Sequence, residues 1–508
     1  MASPQKTLNS FSIDHLQRDL KGRSVRGGLL TLTSQGVQFA LNSVSTIVLA
    51  HLLTPTDFGL VAMVTAITGL AQGFAGLGLS EATIQHPEIH HEQVSKLFWV
   101  NVGIGVGLTI VTASLAPFLA WFYHEPRLRA ITYVTSFIFL IGGLRVQHDA
   151  LLQRNMQFYF IAIRDVAAYL VAVPTAILLA RRGWGYWAIV ALPLTANFIQ
   201  MTLSWVMARW IPGLPRRNVR IRHFITYGGG VAASYLTFNF TRSVDNILIG
   251  WYWGAGPLGL YSRAMNLLLL PVRQLGAPAR SVAVPAFSRL QDDPDRLARF
   301  YLRTANLIMW ITAPVFGFLF VAATPVIVLT LGRQWQAAGP VFQNLAIFAL
   351  GQLLYESVIW LFVSRGQSKR LLKLVLILCP ITVCSYAIGL PFGIKGVALS
   401  GALGMLLAFP WMMSFSFRGT RLTLARLGGA LVYPVISCLS GVAIGELALH
   451  FVDQMSAISQ ILIIGVAFAV GSSFTLILEP VRREVKQLRD LLRIARGSSS
   501  EALAESLV

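Results

Sequence analysis

The sequence predicts an all-α polytopic membrane protein of about fourteen transmembrane helices. They would form two pseudo-symmetric six-helix lobes around a central cavity, with two further C-terminal helices. Three observations predict this. Of 508 residues, 55% are hydrophobic and only 12% charged, with a mean hydropathy of +0.64, whereas soluble domains carry roughly 25% charged residues. Apolar runs of about 20 residues, enough to cross a bilayer, recur along nearly the whole chain and lack strand alternation. The first twelve runs also divide into two similar sets of six.

Residues 1–28 are polar and basic. Phe11, Ile13, Leu16 and Leu20 form a loose amphipathic face among Arg18, Lys21 and Arg23, which reads as an interfacial helix rather than a cleaved signal. The first lobe, 29–209, holds spans near 29–53, 57–84, 95–123, 128–148, 161–181 and 185–209. A basic linker at 210–223 carries Arg216, Arg217, Arg220 and Arg222. The second lobe, 224–417, holds spans near 224–250, 257–288, 303–332, 338–364, 371–391 and 394–417. A loop at 418–427 leads to two more spans within 428–478. The basic tail 479–508 begins as a surface helix suited to anionic lipid and ends in a Gly/Ser-rich stretch read as disordered. Pro174, Pro193, Pro271, Pro314 and Pro380 fall inside spans and would kink them. The spacings Gly69-x-x-x-Gly73 and Gly103-x-x-x-Gly107 suit close helix packing.

The formal net charge of +20 would by itself suggest nucleic acid. The distribution of the cations excludes that partner. An even number of spans puts both termini on one face, which also receives most of the cations, Arg145, Arg154, Arg164, Arg365, Lys369, Arg370, Arg418 and Arg421 among them. The opposite face has only Arg127, Arg129, Arg181, Arg182, Arg333 and Lys395. This is the positive-inside pattern of a bilayer protein with both termini cytoplasmic. Cys379, Cys384 and Cys438 lie in apolar runs and read as packing residues, without disulfide or metal. The cluster His86, Glu88, His90, His91 and Glu92 fits no zinc spacing, and no nucleotide-binding motif occurs. No metal and no cofactor are expected.

The internal repeat organises the chain. Ala50–Met63 matches Gly250–Arg263 at an offset of 200, laying Phe58-Gly59-Leu60 on Leu258-Gly259-Leu260. Leu151–Arg154 echoes Phe362–Arg365, and Gly183–Ala188 echoes Gly393–Ala398. Six helices separate the copies, so both halves share one orientation, as in two-lobed transporters that work by alternating access.

Charges at membrane depth are costly and mark function by default. On the seventh span Asn239, Arg242 and Asp245 recur at three-residue spacing on one face. On the eighth, Arg263, Asn266 and Arg273 do likewise. Asp245 reads as the neutralising support of Arg242. The equivalent stripe of the first lobe is polar but uncharged, with Gln35, Gln38, Asn42 and Ser45. Its amides would bond sugar hydroxyls or tie helices together. Glu356, an acid in the apolar tenth span, is a candidate for ion coupling or a partner for a nearby arginine. Thr56 or Asp57 would cap the second helix.

Three motifs together resemble the polysaccharide flippases of the multidrug/oligosaccharidyl-lipid/polysaccharide exporter superfamily. They are A-x-L-L-x-P-x-D-F-G-L (Ala50–Leu60), A-L-L-Q-R-x-M-x-F (Ala150–Phe158) and D-x-x-L-I-G followed by L-G-L-Y-x-x-A (Asp245–Ala264). The resemblance implies a V-shaped cavity lined by the first two helices of each lobe. The implied cargo is undecaprenyl-pyrophosphate-linked oligosaccharide, moved from the cytoplasmic to the periplasmic leaflet of the bacterial inner membrane. The polymerase and co-polymerase of the pathway are the implied protein partners. Arg242, Arg263 and Arg273 would then grip pyrophosphate through bidentate bonds, with Asn239, Asn266, Gln38 and Asn42 beside them. Two alternatives within the superfamily remain open: a peptidoglycan-precursor flippase and a cation-coupled drug exporter. Against the exporter, the first span has no acid. A membrane polymerase or ligase would need a large external loop or paired catalytic carboxylates there, and the external loops are short.

Overall fold

In the computed structural model the described residues are 20–76, 80, 83, 84, 89–214, 241–452, 454–479, 481, 482 and 486. Among them every extended regular element is a helix, as the fold class requires. The first repeat contributes α1 (Leu20–Leu52), α2 (Pro55–Gly76), α3 (His91–Ser114), α4 (Ala116–Phe122), α5 (Leu128–Arg154), α6 (Phe158–Arg181) and α7 (Tyr186–Ala208). The second contributes α8 (241–253), α9 (Ala255–Arg289), α10 (Pro294–Val321), α11 (Ala323–Leu331), α12 (Gly339–Ser364), α13 (Ser368–Gly389) and α14 (Gly393–Phe417). Two more, α15 (Leu424–Val452) and α16 (Ala457–Phe474), follow. Among the described residues nine segments qualify as spans by length and composition. The polar-striped α1 and α9 are not among them. By its contacts the chain divides into two units, one ending at Gly259 and the other beginning at Leu260. Residues 1–19 of the expected interfacial helix, most of the basic linker and the end of the tail lie outside the described residues, while Leu20, Lys21 and Arg23 belong to α1.

Spans three and nine, expected to be continuous, are each broken. Pro117 and Pro325 have no N–H to give the carbonyls one turn back, so the chain steps at Leu115 and at Ala322 before a short second helix begins. The two breaks fall in corresponding spans and so extend the repeat into three dimensions. So do the connections α5–α6 and α12–α13, which are the same turn. Met156 N–H donates to Gln153 O (2.9 Å) and Gln157 N–H to Leu152 O (2.9 Å). In the second copy Gly366 N–H donates to Val363 O (3.1 Å) and Gln367 N–H to Phe362 O (3.0 Å). Met156 and Gly366 both take positive φ, 52° and 63°. Glycine meets that demand without strain, whereas methionine does not.

The helix cap before α2 is Thr54, not Thr56 or Asp57. Asp57 sits at the third helical position and accepts from Thr54 N (3.0 Å) and Thr54 Oγ1 (2.7 Å), while Asp57 N–H returns to Thr54 Oγ1 (3.3 Å). Two orphan donors are satisfied reciprocally, as in a capping box. The glycine packing expectation also needs correction. A Cβ at Gly69, Gly103 or Gly107 would meet open space. The tight α3–α5 crossing uses Gly105, whose Cβ would lie 2.7 Å from Phe139 O, and Gly143, whose Cβ would lie 2.6 Å from Asn101 O. The spacing rule found the right helix but the wrong face, two residues away. At the start of α2 and of α9, the repeat-related Gly59 and Gly259 make reciprocal approaches. A Cβ on Gly59 would collide with Ala255 O, and one on Gly259 with Pro55 O.

The start of the linker is fastened to the first repeat. Trp210 packs with Ile89, Val94, Phe98 and Leu151, and its indole N–H donates to His91 Nδ1 (3.0 Å). Trp99 Nε1 donates to Gly213 O (2.8 Å), and Gly213 N–H to Ser95 Oγ (2.9 Å). Arg154, from the second family-like motif, donates to Thr83 O (3.0 Å). His91 is thereby a packing residue. Among the described residues no group of three potential metal ligands forms, and His86 and Glu88 lie outside them.

Candidate functional site

The expected site residues divide between the two units. In the first unit Gln38 is half-buried and Asn42 exposed on α1, while Ser45 is buried. On α8 Arg242 is exposed and Asp245 is 5% exposed, with Asp245 Oδ1 accepting from Asn246 N–H (2.7 Å). Asn239 lies outside the described residues. The offset of 200 is therefore respected in burial as well as in sequence: Asn42 and Arg242 are both exposed, Ser45 and Asp245 both buried. Each lead helix turns the same face inward, and only the chemistry on it has changed.

In the second unit α9 carries Arg263 half-buried, with Asn266 and Arg273 exposed. Asn266 Nδ2 donates back to Ser262 O (2.8 Å). Glu356, half-buried on α12, is brought against the same helix: a Cβ on Gly276 would lie 2.9 Å from Glu356 Oε2. Gly276 is one turn beyond Arg273, so an acid far away in sequence is brought against α9. A glycine there gives the carboxylate room.

Two charged groups were not singled out from sequence. Arg145 and Arg164, counted among the cations of the terminal face, lie within α5 and α6, Arg164 buried and Arg145 half-buried. Arg145 Nε pairs with Asp149 (3.2 Å), and Arg164 pairs with Asp165 (2.7 Å) and with Asp149. Ser204 Oγ donates to Asp149 (2.6 Å), Gln200 Nε2 to Asp165 (3.3 Å), and Arg145 also reaches Gln200. Two cations and two anions cancel across α5, α6 and α7. The signal was present, since Arg145 and Asp149 stand four apart on one helical face.

The second group is cationic only. Arg365 Nη2 donates to Gly419 O (3.0 Å); Arg370 donates to Arg418 O (3.1 Å), Phe415 O (3.1 Å) and Gln367 Oε1 (3.0 Å). The Arg370 and Arg418 guanidiniums both lie 5.6 Å from the Phe415 ring centre.

A helical bundle with repeated broken spans, most of its helices long and apolar enough to cross a bilayer, defines a multi-pass membrane protein. The comparisons with known proteins agree. The model of the polysaccharide biosynthesis protein family matches residues 48–340, and the chain belongs to that family. The lipopolysaccharide biosynthesis protein WzxC of Escherichia coli is 22% identical over 77% of this chain and 78% of its own length. The teichuronic acid biosynthesis protein TuaB of Bacillus subtilis is 26% identical over 66% and 68%. Among solved structures, the lipid II flippase MurJ in an inward closed conformation superposes with a TM-score of 0.68 at 13% identity. That match covers 89% of this chain and 98% of that one, and it establishes a shared fold. The chain is thus a multi-pass membrane protein of the polysaccharide biosynthesis family, with the fold of a membrane transporter.

Proposed function

We propose that the chain flips undecaprenyl-pyrophosphate-linked oligosaccharide repeat units from the cytoplasmic to the periplasmic leaflet of the bacterial inner membrane. The products would be exopolysaccharide, capsule or O-antigen. The observation that carries this reading is Arg263, a half-buried guanidinium on a membrane helix, with Asn266 and Arg273 exposed along the same element. A strongly hydrated pyrophosphate cannot cross hydrocarbon unaided, and a fixed cationic path replaces part of its lost hydration through charge-assisted bonds. Arg242, Arg263 and Arg273 supply the cations, and Asp245 supports Arg242. Asn239, Asn266, Gln38 and Asn42 offer amides to phosphate and sugar. Both termini are cytoplasmic on this reading, and Glu356 is the candidate for ion coupling. The pathway's polymerase and co-polymerase take up the cargo.

Deletion in the host is the direct test. Accumulation of one lipid-linked oligosaccharide on the cytoplasmic leaflet supports the proposal and identifies the sugar. Unchanged polysaccharide with altered drug tolerance would overturn it in favour of an exporter, and arrested peptidoglycan synthesis in favour of a precursor flippase. Complementing the deletion with Arg263→Glu should restore less than about a tenth of the polysaccharide, since a misplaced buried charge costs several kcal/mol. Normal output from that variant would remove Arg263 from the path.

A further inference from the structure

Among the described residues no carboxylate pairs with the cationic group at the ends of α12, α13 and α14. From Ser357 to Gly445 the sequence contains no Asp or Glu at all. The apolar spans Arg333–Ser364 and Ser368–Phe417 end at this point, so Arg365, Arg370 and Arg418 stand where the hydrocarbon meets water. Backbone carbonyls and the Phe415 ring hold the arginines in place, without neutralising them. Arg365 Nη1 is enclosed by protein and has no hydrogen-bond partner among the described residues. Burial first, and then the charge of Arg370, hold the Arg365 guanidinium below its ordinary range. Lys369 and Lys373 stand exposed on the first turns of α13 and add to the field. Arg421, close by in sequence, does have a carboxylate, Asp295, at 2.8 Å.

We propose that Arg365, Arg370 and Arg418 form a binding site for the phosphate of a membrane lipid, with Arg365 Nη1 as the inner donor. A phosphate diester at the headgroup level supplies two anionic oxygens to adjacent guanidinium forks, and its acyl chains continue along the apolar flanks of α13 and α14. Arginine suits such an anion because its planar fork bonds bidentately and stays charged when partly desolvated. Basic recesses between membrane helices at the headgroup level recognise anionic lipid in this way. The site is separate from Arg263 and does not depend on the flippase reading.

Native mass spectrometry of the full chain in detergent, titrated with phosphatidylglycerol and with phosphatidylethanolamine, tests it. The wild-type chain should retain phosphatidylglycerol at least about five-fold better. Arg365→Gln/Arg370→Gln/Arg418→Gln should lose most of that preference, and Arg421→Gln should keep it. An unchanged preference in the triple variant overturns the proposal, as does an equal loss in Arg421→Gln, which would signal only a general field. Should the triple variant aggregate, exposed Arg418→Gln alone is decisive, with a drop of roughly two-fold expected and no drop overturning it. Farnesyl pyrophosphate distinguishes the source of the phosphate. Displacement of phosphatidylglycerol by it assigns the site to polyprenyl carriers, and resistance assigns it to phospholipid headgroups. Retention of neither lipid above the phosphatidylethanolamine level overturns both.

Discussion

The turn after α5 and the turn after α12 have the same backbone and opposite electrostatics. Near the first, half-buried Arg145 and buried Arg164 pair with Asp149 and Asp165, with Ser204 and Gln200 completing the network. At the second, Arg365, Arg370 and Arg418 meet carbonyls and an aromatic ring, with no acid between Ser357 and Gly445. The difference separates charges that hold helices together from charges kept ready for something else. A buried pair contributes little net stability when intact, yet breaking it strands a charge. An uncompensated cation at the headgroup level costs little, because water and lipid phosphate reach it.

The largest effect should therefore come from the compensated copy. Asp149→Leu leaves Arg164 without its shared carboxylate, and Arg164 is only 8% exposed. A loss of about 3–5 kcal/mol is expected, read as a lower melting temperature and a broken size-exclusion profile in detergent. Adding Arg164→Leu to the same chain should restore much of it, because an apolar replacement of the whole pair is close to neutral. If Asp149→Leu melts like the wild type, the network is not structural and the contrast between the copies collapses.

A middle-sized effect is expected where the repeats are most alike. Gly59→Ala and Gly259→Ala each force a Cβ onto a backbone carbonyl, Ala255 O or Pro55 O. Backbone cannot yield as a flexible side chain does, so about 1–3 kcal/mol should be lost in each. Matched controls are Gly103→Ala and Gly107→Ala, which face open space in α3 and should be neutral or stabilising by up to about 1 kcal/mol. Equal melting temperatures for Gly59→Ala and Gly103→Ala would deny the close approach.

Much of the fold was legible in sequence because bilayer thickness sets span length and hydropathy reports it directly. α7, read near 185–209, runs Tyr186–Ala208. What escaped was local. Pro117 and Pro325 lie near span ends, where hydropathy remains high, so the breaks beside them left no trace in composition. Gly103 and Gly107 have the right spacing, but spacing cannot say which face meets a neighbour, and Gly105 does. The site was legible in one dimension only. Periodicity put Arg263, Asn266 and Arg273 on one element, whereas the approach of Glu356 to Gly276 depends on how α12 packs against α9. Arg145 and Arg164 enter the sequence reading only as cations of one face, because a charge count registers sign and position but not partners. Asp149 and Asp165 are those partners.

The smallest expected effect sharpens the contrast most. Arg365→Gln removes a guanidinium whose Nη1 has no hydrogen-bond partner among the described residues and whose charge is repelled by that of Arg370. The bond to Gly419 O is one that a glutamine amide can also donate. The melting temperature in neutral detergent should therefore change by less than the equivalent of about 1 kcal/mol, and a small rise is consistent with relief of like-charge repulsion. In anionic lipid the sign should reverse. The wild type gains stability from the phosphate it binds, by mass action, and the variant does not. A melting difference that is absent in neutral detergent and appears on adding phosphatidylglycerol distinguishes a ligand charge from a structural one. An identical difference in both media would make Arg365 a second Arg164.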